Sequence, residues 1–365
     1  MVIDGYLSGF TEEPGYLDYA RVGPLSAGVA AEVLANTEAL RRSRFGSLDA
    51  MVGEHDRLCA AVERAVGFPA RNVVFQSNTS IALMQVLFAL RGDVLLSPDE
   101  FPSMTFAAAR AASMGVCRPI WLDAERPVTA EAVLDVLSDE VTALVVSLVD
   151  YRTGYRVDLP ALRQVIGGRL LIVDATQGLG VVDAAFHDAD VVVSGGQAWL
   201  RAGWGSGFLA VSDHALGLLD PALAGYPGAA EDPFTTVSGP DGTVMSFTVN
   251  EPDYAAAARL AAALEEVAGA GAAQIESLVQ EKVEELIAAA DTAGVPVASP
   301  RDAARRAGIV TLRPEPAAVT ALAAAFFNRG VTVTTQAGTV RLSVHAGTSD
   351  ATLGMVRDAL AVFAA

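Results

Sequence analysis

The stretch LLIVDATQ, residues 170–177, decides the fold class of this chain. Its first four residues are all apolar, and a strand without polar alternation is typical of a sheet that helices cover on both faces. Asp174 follows at the carboxyl end of that strand, where open α/β sheets bind their ligands. A buried carboxylate is costly unless it is paired, so Asp174 is predicted either to cap a turn or helix or to face a cationic group of a ligand.

The same pattern extends in both directions from this strand. Other short apolar runs alternate with Ala- and Leu-rich helical segments, which predicts a doubly wound α/β domain with a mostly parallel sheet flanked by helices. These runs are residues 73–75, 93–97, 119–122, 143–149, 191–193 and 208–211. A loop rich in Gly, Pro and Asp over residues 225–242 then predicts a domain boundary.

The remainder of the chain predicts a smaller α+β domain. Residues 253–294 have a long helical pattern, and from Ile309 the order is strand, helix, strand, strand, helix. The predicted organisation is therefore an N-terminal segment over 1–25, a large domain over 26–250 and a small C-terminal domain over 251–365.

Composition excludes several classes of function. The chain has 365 residues, of which 43 are acidic and 25 basic, and a net charge of −18 opposes binding to nucleic acid. No apolar run is long enough to span a membrane, and the first twenty residues lack the pattern of a signal peptide, so a cytoplasmic protein is expected. Cys59 and Cys117 are predicted to be core thiols, and the four scattered histidines predict no metal site.

Residues 76–80, QSNTS, lie between a short predicted strand and an amphipathic helix. The backbone N–H groups at such a helix start, together with nearby hydroxyls, suit a phosphate, which makes Asn78, Thr79 and Ser80 candidate ligands. Taken alone, the segment is better explained by Asn78 or Thr79 capping the helix. A second glycine-rich segment, SGGQAWL over 194–200 with GWGSGF over 203–208, follows another buried strand.

The order of these three motifs resembles the class V aminotransferase family, whose members have the fold-type I architecture of enzymes dependent on pyridoxal 5′-phosphate (PLP). The resemblance implies that Asp174 pairs with the pyridine nitrogen of PLP and that Gln177 lies near the phenolic oxygen. It places the Schiff-base lysine at Ala198, directly before Trp199, with Gln197 beside it as a cofactor contact. It also implies a homodimer, in which Ser206 reaches the phosphate of the partner's cofactor.

Two further segments resemble kynureninases within that family. EFPS over 100–103 implies that Phe101 stacks on the cofactor, and VDYRTG over 149–154 resembles the VNYRTG segment, with Asp150 in place of Asn as a substrate contact. Near the C-terminus, RLS over 341–343 resembles the strand whose arginine binds the substrate carboxylate, which implies that role for Arg341. A guanidinium binds a carboxylate through two parallel hydrogen bonds, so the residue type suits the chemistry.

The chain has a single lysine, Lys282, in the acidic helical segment QEKVEE, where an exposed surface residue is expected. A methyl group at Ala198 neither binds PLP covalently nor moves a proton at the α carbon of a substrate. A lysine-to-alanine substitution made to trap a bound substrate and a natural pseudoenzyme both fit this pattern. The other cofactor residues are kept, which favours the substituted form.

The expected parent activity is PLP-dependent cleavage of a small amino acid by a lyase or hydrolytic reaction, as in kynureninase. Transamination, carbon–sulfur cleavage and epimerisation are alternatives within the family, and a non-catalytic ligand-binding protein is the alternative from another class. Persulfide chemistry is disfavoured because no cysteine follows Cys117. The sequence does not identify the amino acid or its pathway.

Overall fold

The computed structural model describes residues 2–124, 126–336 and 338–365. The strands are β1 (Val73–Phe75), β2 (Asp93–Leu96), β3 (Arg118–Trp121), β4 (Val141–Ser147), β5 (Leu170–Asp174), β6 (Val191–Gly195), β7 (Gly207–Val211), β8 (Ile309–Leu312), β9 (Thr334–Gln336) and β10 (Thr339–Ser343). The helices are α1 (Val2–Leu7), α2 (Ala27–Arg41), α3 (Ser47–Val66), α4 (Thr79–Ala89), α5 (Pro102–Ser113), α6 (Ala130–Leu134), α7 (Leu159–Ile166), α8 (Asp213–Leu216), α9 (Tyr254–Ala270), α10 (Ala272–Thr292), α11 (Val319–Asn328) and α12 (Asp350–Ala364).

The large sheet has the order β1-β7-β6-β5-β4-β2-β3 within the described residues. Strands β3, β2, β4, β5 and β6 are parallel, and β7 runs antiparallel to both β6 and β1. The predicted mostly parallel sheet is therefore confirmed; β5 and β6 are buried along their whole length, and β4 is buried at every residue except Thr142. Strand β3 differs from the prediction because it lies at the edge of the sheet, where its two end residues are exposed.

Helices cover both faces of this sheet, and the apolar residues of each strand divide between two cores. In β4, Leu144 and Val146 belong to one core, whereas Ala143 and Val145 belong to the other. This division follows from the alternation of side chains along a strand. Because both faces are covered, polar groups of the central strands reach a ligand only at the strand ends.

The small sheet has the order β8-β10-β9, with antiparallel pairing throughout the described strands. The N-terminal segment joins this sheet, since Leu17 N–H donates to Thr332 O at 3.1 Å and Ser343 N–H donates to Leu17 O at 2.8 Å. The segment then continues past the end of the large sheet, where Gly23 N–H donates to Gln197 O at 2.8 Å. Residues 17–23 thus bridge the two sheets.

The long helical pattern after residue 253 is interrupted at one glycine. Gly271 adopts φ +87°, a conformation that favours glycine, and its N–H donates to Val267 O at 2.9 Å, which ends α9. Helix α10 begins at the next residue. No helix of the described chain is both long and apolar enough to span a bilayer.

Candidate active site

A cavity of about 320 Å³ lies at the carboxyl ends of β4 and β5, between the start of α4 and strands β9 and β10 of the small sheet. Its volume is within the range of small-molecule sites. The predicted site residues that line it are Asn78, Thr79, Ser80, Phe101, Asp174, Gln177, Gln197 and Arg341. The large sheet, the helix after β1 and the C-terminal strand therefore converge at one site, as the sequence motifs predicted.

The start of α4 forms one wall of the cavity. Asn78 is the N-cap, and its side-chain oxygen accepts a backbone N–H of the first turn at 3.0 Å, so the capping interpretation is confirmed. The hydroxyl of Thr79 is hydrogen-bonded to that of Thr176 at 2.8 Å, and Ser80 is bonded to Ser103 at 2.6 Å. The first N–H groups of a helix lack intrahelical partners, so this wall offers donors and hydroxyls to an anion.

Asp174 occupies the carboxyl end of β5 and is only 6% exposed. The backbone N–H of Thr176 donates to its Oδ1 at 2.9 Å. Burial raises the pKa of the Asp174 carboxyl, and the hydrogen bonds from Thr176 act in the opposite direction. Within the described residues no arginine, lysine or histidine forms an ion pair with this carboxylate, so a cationic ligand group in the cavity has a partner in place.

Gln177 connects the cavity to the N-terminal segment. Its Nε2 donates to Ala20 O at 2.8 Å, and its Oε1 accepts the indole N–H of Trp199 at 2.9 Å. Both ends of the amide are therefore bonded to protein groups. Gln177 still lines the cavity, but its hydrogen bonds fix the position of neighbouring segments, and its contact with a cofactor oxygen remains a prediction.

The turn after β6 presents Gln197 to the cavity. A Cβ placed at Gly195 would lie 2.3 Å from Gln197 Oε1 and 2.8 Å from Thr79 Oγ1, so the Gln197 side chain folds back over this glycine beside the start of α4. Ala198 is fully buried and is not part of the lining. Lys282 lies in α10, half-buried and away from the cavity. It was expected to be exposed and is of intermediate burial.

Phe101 stands at the mouth of the cavity, directly before α5. Its ring is 46% exposed and packs edge-to-face against Tyr151, with ring centroids 5.1 Å apart. The ring of Phe101 is therefore only partly covered by other protein groups. An aromatic ring in this position suits a flat heteroaromatic ligand, and the stacking role remains a prediction.

Arg341 lies beneath the cavity on β10 and is only 5% exposed. Its Nη1 donates to Tyr151 O at 2.8 Å, and its Nη2 lies 3.6 Å from the Asp18 carboxylate. Its Nε is buried and has no hydrogen-bond partner among the described atoms. Burial lowers the pKa of Arg341 below its usual value, and Asp18 opposes this effect. An unpartnered buried donor at a cavity wall is a position that an anionic ligand would satisfy.

Two predicted residues occupy other positions. Asp150 does not line the cavity; its carboxylate accepts the backbone N–H of Arg152 at 2.7 Å and the hydroxyl of Thr153 at 3.1 Å, which stabilises the turn after β4. The substrate contact of Asp150 therefore remains a prediction. Ser206 is fully buried and donates to Gly203 O at 2.8 Å, and its contact with a partner's cofactor remains a prediction.

The cavity also contains residues that the sequence motifs did not single out. Arg21 comes from the N-terminal segment, and Tyr151 and Thr334 come from segments far apart in the chain. Thr176 lies within the quoted motif, and its hydroxyl accepts Gly195 N–H at 3.2 Å, which ties the turn after β5 to the end of β6. A polar residue two positions after a strand-end aspartate was the available signal for Thr176, and the VDYRTG segment was the signal for Tyr151, whereas Thr334 had none.

Glu100 lies behind the cavity wall, in contact with Ser147 at the end of β4. Its Oε1 accepts Ser147 N–H at 3.0 Å, and its Oε2 accepts the Ser147 hydroxyl. Burial raises the pKa of Glu100 to about 7; the hydrogen bonds from Ser147 lower it, and the nearby Asp174 raises it further. Ser147 itself lines the cavity and is the register partner of Asp174. The carboxylates of Glu100 and Asp174 therefore both lie next to Ser147, at the carboxyl ends of β4 and β5.

His345 is a structural residue, as expected. Its ring is fully buried among Tyr6, Phe10, Tyr19 and Trp199, and its Nε2 lies 3.0 Å from Trp199 O. Burial lowers its pKa to about 3, with the positive charge of Arg201 acting in the same direction. The neutral ring therefore packs in the core and is not part of the cavity lining.

Comparison with known proteins agrees with this architecture. No family model matches the chain. A kynureninase from Deinococcus radiodurans is 27% identical over 222 residues, which are 58% of this chain and 53% of that enzyme. The chain therefore spans about half of the length of this curated relative.

Solved structures cover nearly the whole chain at lower identity. The apo cysteine desulfurase of Thermococcus onnurineus NA1 has a TM-score of 0.83 at 20% identity, covering 96% of this chain and 93% of that one. A lysine-to-alanine mutant of C-DES, with glycine covalently linked to the PLP cofactor, has a TM-score of 0.86 at 18% identity, covering 96% of each chain. These likenesses establish the fold, and the chain therefore has the fold-type I architecture of PLP-dependent enzymes, with a smaller C-terminal domain.

Proposed function

We propose that this cavity binds pyridoxal 5′-phosphate together with a small amino acid. With alanine at position 198, the protein would bind both with catalytic turnover near zero. The observation that carries the proposal is the position of Asp174. It is a buried carboxylate without a protein cation among the described residues, in the same cavity as the start of α4. A protonated pyridine nitrogen compensates such a carboxylate and is itself kept protonated by it.

The other lining residues fit the remaining groups of this cofactor. Thr79, Ser80 and the first N–H groups of α4 would hold the phosphate, with Asn78 fixing the helix start. Phe101 would cover one face of the ring, and Gln177 would lie at its edge. When bound, PLP withdraws electrons from the α carbon of an attached amino acid. Arg341 would orient the amino acid through its carboxylate, using the unpartnered Nε.

The reaction class that we propose for a form with a lysine at position 198 is lyase or hydrolytic side-chain cleavage of a small amino acid. The 27% identical kynureninase supports this class, and C-DES, described as a cystine C-S lyase, supports carbon–sulfur cleavage as a related alternative. Transamination and epimerisation remain alternatives. Cys59 and Cys117 are both buried and do not line the cavity, which gives no support to a reaction that needs a cysteine nucleophile there.

A specific observation favours a second candidate, a non-catalytic binding protein. Within the described cavity lining no amine is present, since Gln197 faces the cavity and Ala198 is buried behind it. Such a protein would keep cofactor and amino-acid binding without turnover. We also propose a homodimer, for which exposed large apolar side chains outside the cavity, such as Trp204, provide contact surface.

The proposal is tested by titrating the purified chain with PLP, following absorbance and heat. Asp174→Asn should weaken PLP binding by on the order of 3 kcal/mol, because it removes the charge partner of the pyridinium. Asp190→Asn is the matched control: Asp190 is also buried, but it accepts Leu171 N–H at the opposite end of the strands, outside the cavity. Gln177→Ala should have a smaller effect. Equal PLP affinity in the Asp174 and Asp190 variants, both folded by circular dichroism, would remove Asp174 from this role.

A further inference from the structure

The N-terminal segment contributes two residues to the cavity, Ala20 and Arg21. Its backbone is fixed on both sides at this point. Ala20 N–H donates to Ser343 Oγ at 3.0 Å, Ala20 O accepts Gln177 Nε2 at 2.8 Å, and Arg21 N–H donates to Asp18 O at 3.0 Å. The position of the Arg21 backbone is therefore set by the small sheet and by the turn after β5.

The side chain of Arg21 is exposed at the cavity and makes no hydrogen bond or ion pair with any described residue. This distinguishes it from Arg341, which is buried and bonded to Tyr151 O and Asp18. Both arginines line the same cavity. Burial is the main cause of the lowered pKa of Arg341, and the positive charge of Arg21 acts in the same direction.

The described lining of the cavity has more positive than negative side chains. It contains two arginines and one carboxylate, Asp174, in a chain whose net charge is −18. Asp174 is the partner of the pyridinium in the proposed function, and the unpartnered Nε of Arg341 suits one carboxylate. Asp18 is paired with Arg341, so Arg21 remains as the cavity cation whose side chain has no ion pair among the described residues. Asp18 offsets part of the repulsion between the two arginines, and an anionic ligand group near both would offset more of it.

We propose that Arg21 determines specificity by binding a second anionic group, so that the amino acid recognised here has an acidic side chain. The inference rests on the proposed function, in which Arg341 binds the α-carboxylate. An alternative role for Arg21, as a counter-charge to the cofactor phosphate, is less consistent with its position. The candidate phosphate donors are at the start of α4, whereas Arg21 follows Ala20, which is bonded to Ser343 on β10, the strand that carries Arg341.

The test compares aspartate with asparagine and glutamate with glutamine, which differ in charge and little in shape. Binding is measured by calorimetry to the full chain, both PLP-saturated and cofactor-free. The acidic member of at least one pair should bind about five- to tenfold more tightly at low salt, and the preference should shrink at 0.5 M salt because an exposed charge pair is screened. Arg21→Gln should abolish the preference, and Arg21→Lys should keep part of it.

Arg44→Gln is the matched control, since Arg44 is exposed and lies outside the cavity. The preference should be unchanged in this variant. The inference is overturned if neither acidic amino acid is preferred, if the preference survives Arg21→Gln, or if Arg21→Gln weakens PLP itself and leaves the preference intact. Failure of PLP to bind would count against the proposed function alone, because the cofactor-free titrations still measure the contribution of Arg21.

Discussion

The turn after β5 and the turn after β6 lie side by side in this protein but differ in the side chains that they present to the cavity. The first presents Asp174, Thr176 and Gln177 to the cavity, each in a defined hydrogen-bonding arrangement. The second presents Gln197, while Ala198 is buried and supplies no amine. Under the proposed function, the first turn would contribute to cofactor recognition, and the second would lack the amine that binds the cofactor covalently.

The strongest test of retained recognition concerns Arg341. Arg341→Ala should weaken amino-acid binding by roughly 2 to 5 kcal/mol, because it leaves a carboxylate without its desolvated partner. PLP affinity should be nearly unchanged, since Arg341 lies on the side of the cavity formed by the small sheet. Calorimetric titration of the PLP-saturated protein measures the first quantity. Arg329→Ala, at an exposed site on the same domain, is the control. Unaltered amino-acid affinity would assign Arg341 a structural role only.

Glu100 provides a test of how strongly negative charge is disfavoured at the carboxyl ends of β4 and β5. Its folded pKa of about 7 lies above its usual value, so its contribution to stability is present in full below the unfolded pKa and is lost as the pH rises through about 7. Relative to Glu100→Gln, the unaltered protein should therefore lose on the order of 3 kcal/mol of unfolding free energy between pH 4.5 and 8. Urea unfolding across this range measures the difference.

Glu281→Gln, an exposed carboxylate on α10, is the control for this pH series and should show no comparable trend. A pH-independent difference between the unaltered protein and Glu100→Gln would show that the Glu100 carboxylate ionises as it does in the unfolded chain. In that case the strand end tolerates two negative charges, and the argument that Asp174 requires a cationic partner would be weaker.

The smallest expected effect concerns Phe101. Phe101→Ala should weaken PLP binding by about 1 kcal/mol beyond the loss of buried area, because a stacked aromatic face is removed. Phe106→Ala is the comparison, since Phe106 is on the same helix and exposed but does not line the cavity. PLP dissociation rates that are equal in both variants would place the cofactor ring away from Phe101.

The sequence predicted the parts of this architecture that depend on local patterns. The apolar run before Asp174 identified the central strand, because a strand buried on both faces has no polar alternation. The strand–helix order after Ile309 was also predicted correctly. The break at Gly271 was not, since the helical pattern continues on both sides of it and only the positive φ separates α9 from α10.

Contacts between distant segments were beyond prediction from the sequence. Nothing near Arg21 indicates that residue 20 is held by Gln177 and Ser343, and so Arg21 was missed. Asp150 was expected at the substrate because of its motif, yet its carboxylate is bonded within its own turn. Local hydrogen bonds compete with ligand contacts for short polar side chains, and a motif does not reveal which contact forms.

The central claim is that the cavity is a PLP site whose covalent anchor is missing at the turn after β6. Ala198→Lys, saturated with PLP and reduced with borohydride, tests it most directly, with peptide mass spectrometry locating any cofactor adduct. Gln197→Lys is the matched variant, because Gln197 faces the cavity in this structure and Ala198 does not. The account predicts an adduct at residue 198 in the first variant and little at residue 197 in the second. Absence of an adduct at residue 198, whether or not residue 197 gains one, would contradict it.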